Sequence, residues 1–103
     1  MLNELYEAVK ETQLPCAYSF FREIPEPPYL IFEFTYSNNF DADDKVYLKR
    51  DRYAVSLFTA KKDPATETLV ESKLEKYEFL WDKTESYIES EELYQITSTI
   101  FER

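Results

Sequence analysis

Asp41, Asp43 and Asp44 stand together in the stretch SNNFDADD, and clustered carboxylates are what a hard cation such as calcium asks of a loop. Counted from Asp41, however, the sixth position is Val46 where a calcium loop needs glycine for its turn. The twelfth is Arg52, where a bidentate glutamate would be required. The expectation is a solvated, charged hairpin tip. Glu71-x-Lys73, with Asp63 upstream, matches the carboxylate-and-lysine pattern of metal-dependent nucleases. That chemistry needs the pair on a strand beside the acidic ligand. Here it falls in the best helical stretch of the chain, where the two side chains point roughly 200° apart. A glycosidase-like pair of carboxylates could converge from any of the 21 acidic residues, and nothing in the sequence selects one pair.

What is missing narrows the chemistry further. The chain has no Gly, so it holds neither a glycine-rich phosphate loop nor a dinucleotide fingerprint. It has no His, the commonest general base and metal ligand. Cys16 is the single cysteine, which excludes an intrachain disulfide and a thiolate zinc site. It reads as a buried apolar filler rather than a nucleophile lacking a His partner. No catalytic residue, cofactor or metal is expected, and the chain reads as a protein that is not an enzyme.

The elements that must position the remaining candidates follow from periodicity. Leu2, Leu5, Tyr6 and Val9 recur at helical spacing, and Pro15 stops that helix. Cys16 to Phe21 is short and strand-like, and Pro25, Pro27 and Pro28 form a stiff connector. From Tyr29 to Tyr36 the chain alternates, with Leu30, Phe32, Phe34 and Tyr36 on one face and Ile31, Glu33 and Thr35 on the other. Asn38 and Asn39 supply the positive-φ tolerance of the connecting loop. A long arm from Lys45 to Thr59 places Tyr53, Val55 and Leu57 on its packed face. Asp63-Pro64 starts a second helix, and Val70, Leu74, Tyr77 and Trp81 give its apolar stripe. That helix is expected to end near Phe79, with Leu80 to Glu85 a short edge strand. An acidic turn over Glu89 to Glu92 precedes a last strand, Leu93 to Phe101, with Tyr94, Ile96 and Ile100 on one side.

The implied fold is α+β: one small domain over 1–103, an antiparallel or mixed sheet of four to five strands with two helices on one face, in the order α-β-β-β-α-β-β. Its predicted core is Leu5, Val9, Phe32, Phe34, Val55, Leu57, Val70, Leu74 and Ile96. A chain of 103 residues with 17% aromatics has enough apolar mass for one core and is not a disordered acidic segment. The first residues are charged and amphipathic and no apolar run approaches about 18 residues, so neither a signal peptide nor a membrane span is expected.

Charge is the informative feature. The chain carries a net −9, yet residues 45–62 hold Lys45, Lys49, Arg50, Arg52, Lys61 and Lys62 against Asp51 alone, a local +5. The rest of the chain is at −14. Such a strip protects an edge strand from pairing, or offers a surface complementary to an acidic one. A sequence-specific nucleic-acid role is disfavoured, because the acidic bulk repels phosphate. Tyr29, beside the prolines, and Phe40, in the polar loop, are the candidate exposed anchors.

Three stretches, FFREIPEPPYLIF, YSNNFDADDKVYLKRDRYAVSLFTAKKDPATETLVESKLEK and TESYIESEELYQI, resemble a family of small minor tail or head–tail joining proteins of siphoviruses and prophages of Gram-positive bacteria. The element order also resembles the lambda-type tail terminator. The resemblance implies a structural virion protein that self-associates into a ring, commonly a hexamer, capping the tail tube. Its partners would be further copies of itself, the major tail protein and head-completion proteins. It implies residence in the virion, and in the host cytoplasm during assembly, with no active site to carry over. An acidic wall would suit a DNA channel. The expected subunit interface joins a basic strip, Lys49, Arg50 and Arg52, to the acidic turn, Glu89, Glu91 and Glu92, with Tyr29 and Phe40 supplying apolar contact. The alternative is a small acidic phage-encoded inhibitor, a DNA mimic for a host protein, although the +5 strip interrupts a phosphate-like surface.

Overall fold

Helix α1 (Leu2–Lys10) forms because Leu5 and Val9, four residues apart, turn the same stripe inward, where both are buried. It stops by a local device: the Thr12 hydroxyl donates to the Val9 carbonyl at 2.7 Å and accepts from the Leu14 N–H at 3.2 Å, while Gln13 takes φ 63°. Pro15 then starts β1 (Cys16–Tyr18), which runs parallel to β2 (Tyr29–Ser37), pairing Cys16 with Leu30 and Tyr18 with Phe32. Two short strands, β3 (Phe40–Ala42) and β4 (Lys45–Leu48), pair as a separate antiparallel ribbon between β2 and β5 (Asp51–Thr59). After β5 come α2 (Pro64–Lys76), β6 (Phe79–Ile88) and β7 (Leu93–Glu102). The computed structural model describes residues 2–37, 40–42, 45–48 and 51–102, and the side chains of 2–35 and 52–101.

The main sheet has the order β1-β2-β5-β7-β6 and is antiparallel throughout except for β1 with β2. Register aligns Leu30, Leu57 and Ile96 across three strands, then Phe32, Val55 and Ser98, so one face presents a continuous apolar band. Leu5 and Val9 from α1 and Val70 and Leu74 from α2 pack on that band, together with Phe79 and Ile100. The expected architecture and order are present: two helices on one face of a five-stranded mixed sheet, with β3 and β4 as an added ribbon.

Four local expectations are corrected. Phe34 lies on the expected face but is 44% exposed, toward the end of β2, and its ring meets that of Tyr53 edge-on at 5.8 Å. A bulge between Phe34 and Tyr36 puts Tyr36 in register with Arg52, so the simple alternation of β2 fails there. The arm from Lys45 divides into β4 and β5. Helix α2 ends at Lys76, since Glu78 takes φ 63°, and β6 is a full ten-residue strand that includes Trp81.

Asp63 caps α2 as its sequence position requires. Its carboxylate accepts from the Thr66 N–H at 3.2 Å and from the Thr66 hydroxyl at 2.6 Å, which holds its pKa below the usual carboxylate range. Asp63→Ala is expected to cost about 1 kcal/mol in urea unfolding. Asp63→Asn should retain most of that stability. An unchanged midpoint in the Ala variant would show that packing alone fixes the start of α2. At the other end of α2, Lys76 Nζ and the Tyr77 hydroxyl both donate to Glu11, tying the exit of α1 to α2, and this hydrogen bond pushes the Tyr77 phenol up to about 12.

Candidate functional site

The acidic turn is built by the β6–β7 hairpin. The Glu91 N–H donates to the Ile88 carbonyl at 3.2 Å, the Glu92 N–H to Glu89 at 3.3 Å, and Glu92 closes the turn at φ 54°. Glu89, Glu91 and Glu92 are all exposed. Arg52 sits at the other end of the same sheet. Register places it on the row of Leu80 and Phe101, whereas the turn follows the row of Thr59, Tyr94 and Tyr87. Seven residues of β5 separate these rows, which is roughly 24 Å of extended strand. The Arg52 guanidinium stacks 4.3 Å from the centre of the Phe101 ring, and its buried Nε has no hydrogen-bond partner among the described residues. Arg52 and the acidic turn therefore lie at opposite ends of one sheet. Lys49, Arg50, Asp43 and Asp44 lie outside the described residues, as do the side chains of Phe40 and Asp41.

The wider run of basic residues over 45–62 is divided, because β5 carries Arg52 to one end of the sheet and Lys61 and Lys62 follow its other end. Lys62 is already engaged, with Nζ against Glu85 Oε1 and 2.7 Å from Glu67 Oε2, and these carboxylates raise its pKa. One interface expectation, the exposed Tyr29, is corrected. Tyr29 is only 4% exposed, stacked on Phe58 at 5.0 Å and meeting Phe21 edge-on at 5.5 Å. It anchors its own loop and offers no ring to a partner. Burial raises its pKa, with the Glu91 charge adding to the effect.

Glu71 joins a staple that sequence spacing did not disclose. Glu67, 5% exposed on α2, faces Lys62 and Lys83, and Lys83 Nζ also donates to Glu71 at 2.6 Å. Lys62 precedes α2 and Lys83 lies on β6, so three chain segments meet at one carboxylate. Burial alone would raise the pKa of Glu67, but the hydrogen bonds and charges of Lys62 and Lys83 outweigh it and hold the group below its ordinary value. The nuclease-like trio separates accordingly. Asp63 caps the helix, Glu71 pairs with Lys83, and Lys73 reaches 4.0 Å from Glu11. Cys16 is half-buried with its thiol pushed up by burial, and it lines an open apolar groove of about 400 Å³ with Leu2, Tyr6 and Tyr18.

Strand β6 completes the inventory of exposed surface. Among the described residues it has a neighbour on one side only, and residues 82–87 are exposed along its length. The sequence predicts an edge strand over Leu80 to Glu85; the strand lies at the edge and is longer, Phe79–Ile88. Among the described residues, no three His, Cys, Asp or Glu side chains converge on a metal position, and no helix is long and apolar enough to cross a membrane. No family model matches the chain, and no curated protein matches it in sequence.

Proposed function

We propose that this chain is a structural subunit of a virion, of the tail-terminator or head–tail joining class, which associates head to tail into a ring that caps a tail tube. One observation carries the reading: the exposed acidic turn and Arg52 stand at opposite ends of one sheet. A closed ring needs such a heterologous contact, in which one patch meets an unlike patch on the next copy. The resemblance of the three sequence stretches to minor tail proteins supports the same reading. Each exposed pair contributes only about 0–1 kcal/mol, so charge sets orientation while apolar contact supplies affinity. The major tail protein and head-completion proteins are the proposed further partners.

Reversing Lys49, Arg50 and Arg52 to Glu is expected to give a folded monomer, and adding Glu89, Glu91 and Glu92 to Lys should partly restore the ring. Light-scattering mass at low and high salt, with electron microscopy of the wild type alone and mixed with tail tubes, reads the outcome. Rings that survive the triple reversal would remove this contact from the interface. A wild type that neither forms rings nor caps tubes, but binds a basic host protein, would replace the reading with that of an acidic inhibitor.

A further inference from the structure

Among the described residues, no strand pairs with the outer side of β6, a ten-residue edge of the kind that serves as a template for adding another strand. Native edges are commonly blocked by charge, and this one carries Asp82, Lys83 and Glu85. Those charges, however, are arranged about a centre. Laid antiparallel on a second copy of itself about Thr84, the strand sets Lys83 opposite Glu85 and Glu85 opposite Lys83. The same register sets Trp81 opposite Tyr87 and Leu80 opposite Ile88, each occurring twice by symmetry, with Asp82 opposite Ser86. No like charges face one another. Directly opposed side chains lie about 4.5–5.5 Å apart at Cβ, close enough for each pair to interact.

The smallest slides that keep both sheet faces aligned move the register by two residues. One sets Lys83 opposite Lys83, and the other sets Glu85 opposite Glu85, so the charges select a single register. Antiparallel pairing keeps residues of equal parity on one face, which leaves the helices of both copies on the same side. The edge side chains reach solvent on both faces: Tyr87 is 50% exposed, and Leu80 on the other face is 46% exposed. Lys83 and Glu85 are 39% and 42% exposed while held by Glu71 and Lys62 of their own chain.

We propose that the β6 edge is a two-fold pairing surface for a second copy of this chain, joining two five-stranded sheets into one ten-stranded sheet about Thr84. This contact uses the side of the sheet, whereas the ring contact uses its ends, and so it stands or falls apart from the ring.

The test is a cross-link that reads the register. In a Cys16→Ser background, Thr84→Cys places two thiols on the two-fold axis, while Asp82→Cys places them away from each other. The expected result under mild oxidant is a disulfide dimer that forms at least ten-fold faster for Thr84→Cys. Both positions are exposed, so neither change touches the core. A second arm uses charge. Glu85→Lys should weaken dimerisation at least ten-fold by facing Lys83 with Lys, and Lys83→Glu should do the same with opposite sign. An equimolar mixture should restore the dimer, because every opposed pair is then Lys with Glu. Sedimentation equilibrium measures these masses; if Lys83→Glu fails to fold, the cysteine arm decides alone. Equal cross-linking at 82 and 84, or a Thr84→Cys chain that stays monomeric at high concentration, overturns the proposal. Reversal of Arg52 should leave the cross-link unchanged, which separates failure of this contact from failure of the ring.

Discussion

Leu74→Ala is expected to lower the unfolding free energy by about 3 kcal/mol, within the range for a leucine removed from a packed core. Leu74 is 1% exposed and sits where α2 meets the band formed by the sheet. The loss combines the transfer energy of the removed atoms with the cavity left between α2 and β-strands that cannot follow it inward. Phe34→Ala removes a larger side chain yet should cost only about 1–2 kcal/mol, because the ring is nearly half in water and its removal leaves no enclosed cavity. Urea unfolding of both variants, at unchanged slope, checks the order. A Phe34 variant weaker than the Leu74 variant would mean that the helices cover the other end of the sheet.

Glu67→Gln should cost roughly 1–2 kcal/mol at pH 7, less than a fully buried ion pair, because Lys62 and Lys83 stay in water and keep Glu85 and Glu71 as partners. The effect has a definite pH dependence. Glu67 has a folded pKa below its ordinary value of 4.5, so the unfolded chain takes up the proton first as acid is added. Its contribution is complete above about 4.5 and is lost as pH falls through the lower folded value. The stability gap between wild type and Glu67→Gln should therefore be full at pH 7 and close in acid, where both chains carry a neutral group at position 67. Glu11 and Asp63 are also held low, so wild type weakens in the same range for reasons other than Glu67. Only the difference between the two proteins isolates this carboxylate. A gap independent of pH would assign the cost to shape rather than to charge.

The order of elements and most of the core were legible because each apolar stripe keeps one period within one element. Leu5 and Val9, or Val55 and Leu57, need no knowledge of the rest of the chain. What failed depends on neighbours. The spacing of Val70, Leu74, Tyr77 and Trp81 is helical throughout, yet the chain turns at Glu78 and continues as β6. With no glycine to mark its left-handed positions, this chain uses Gln13, Ser19, Glu78 and Glu92, residues that announce nothing in the sequence. Phe34 obeys its alternation, but how far the helices reach over β2 is set by their length and packing. Tyr29 looked free beside the prolines because the rings that cover it, Phe21 and Phe58, come from separate segments. The staple around Glu67 was hidden for the same reason: Lys62, Glu67 and Lys83 are united only by the path of α2 across β6. The charged ends were visible as charges, while their placement at opposite ends of the sheet required the register.

The place of β7 has a consequence for how a growing chain can reach this fold. β7 lies between β5 and β6 in the sheet, although both are synthesised before it, and Ser56 meets Thr97 across 41 residues of sequence. Until β7 emerges, β6 has no strand to zip to and β5 shows a bare edge lined by Val55 and Leu57. The sheet therefore cannot be completed strand by strand in the order of synthesis, because the pairings of β5 with β7 and of β6 with β7 both wait on the last strand made.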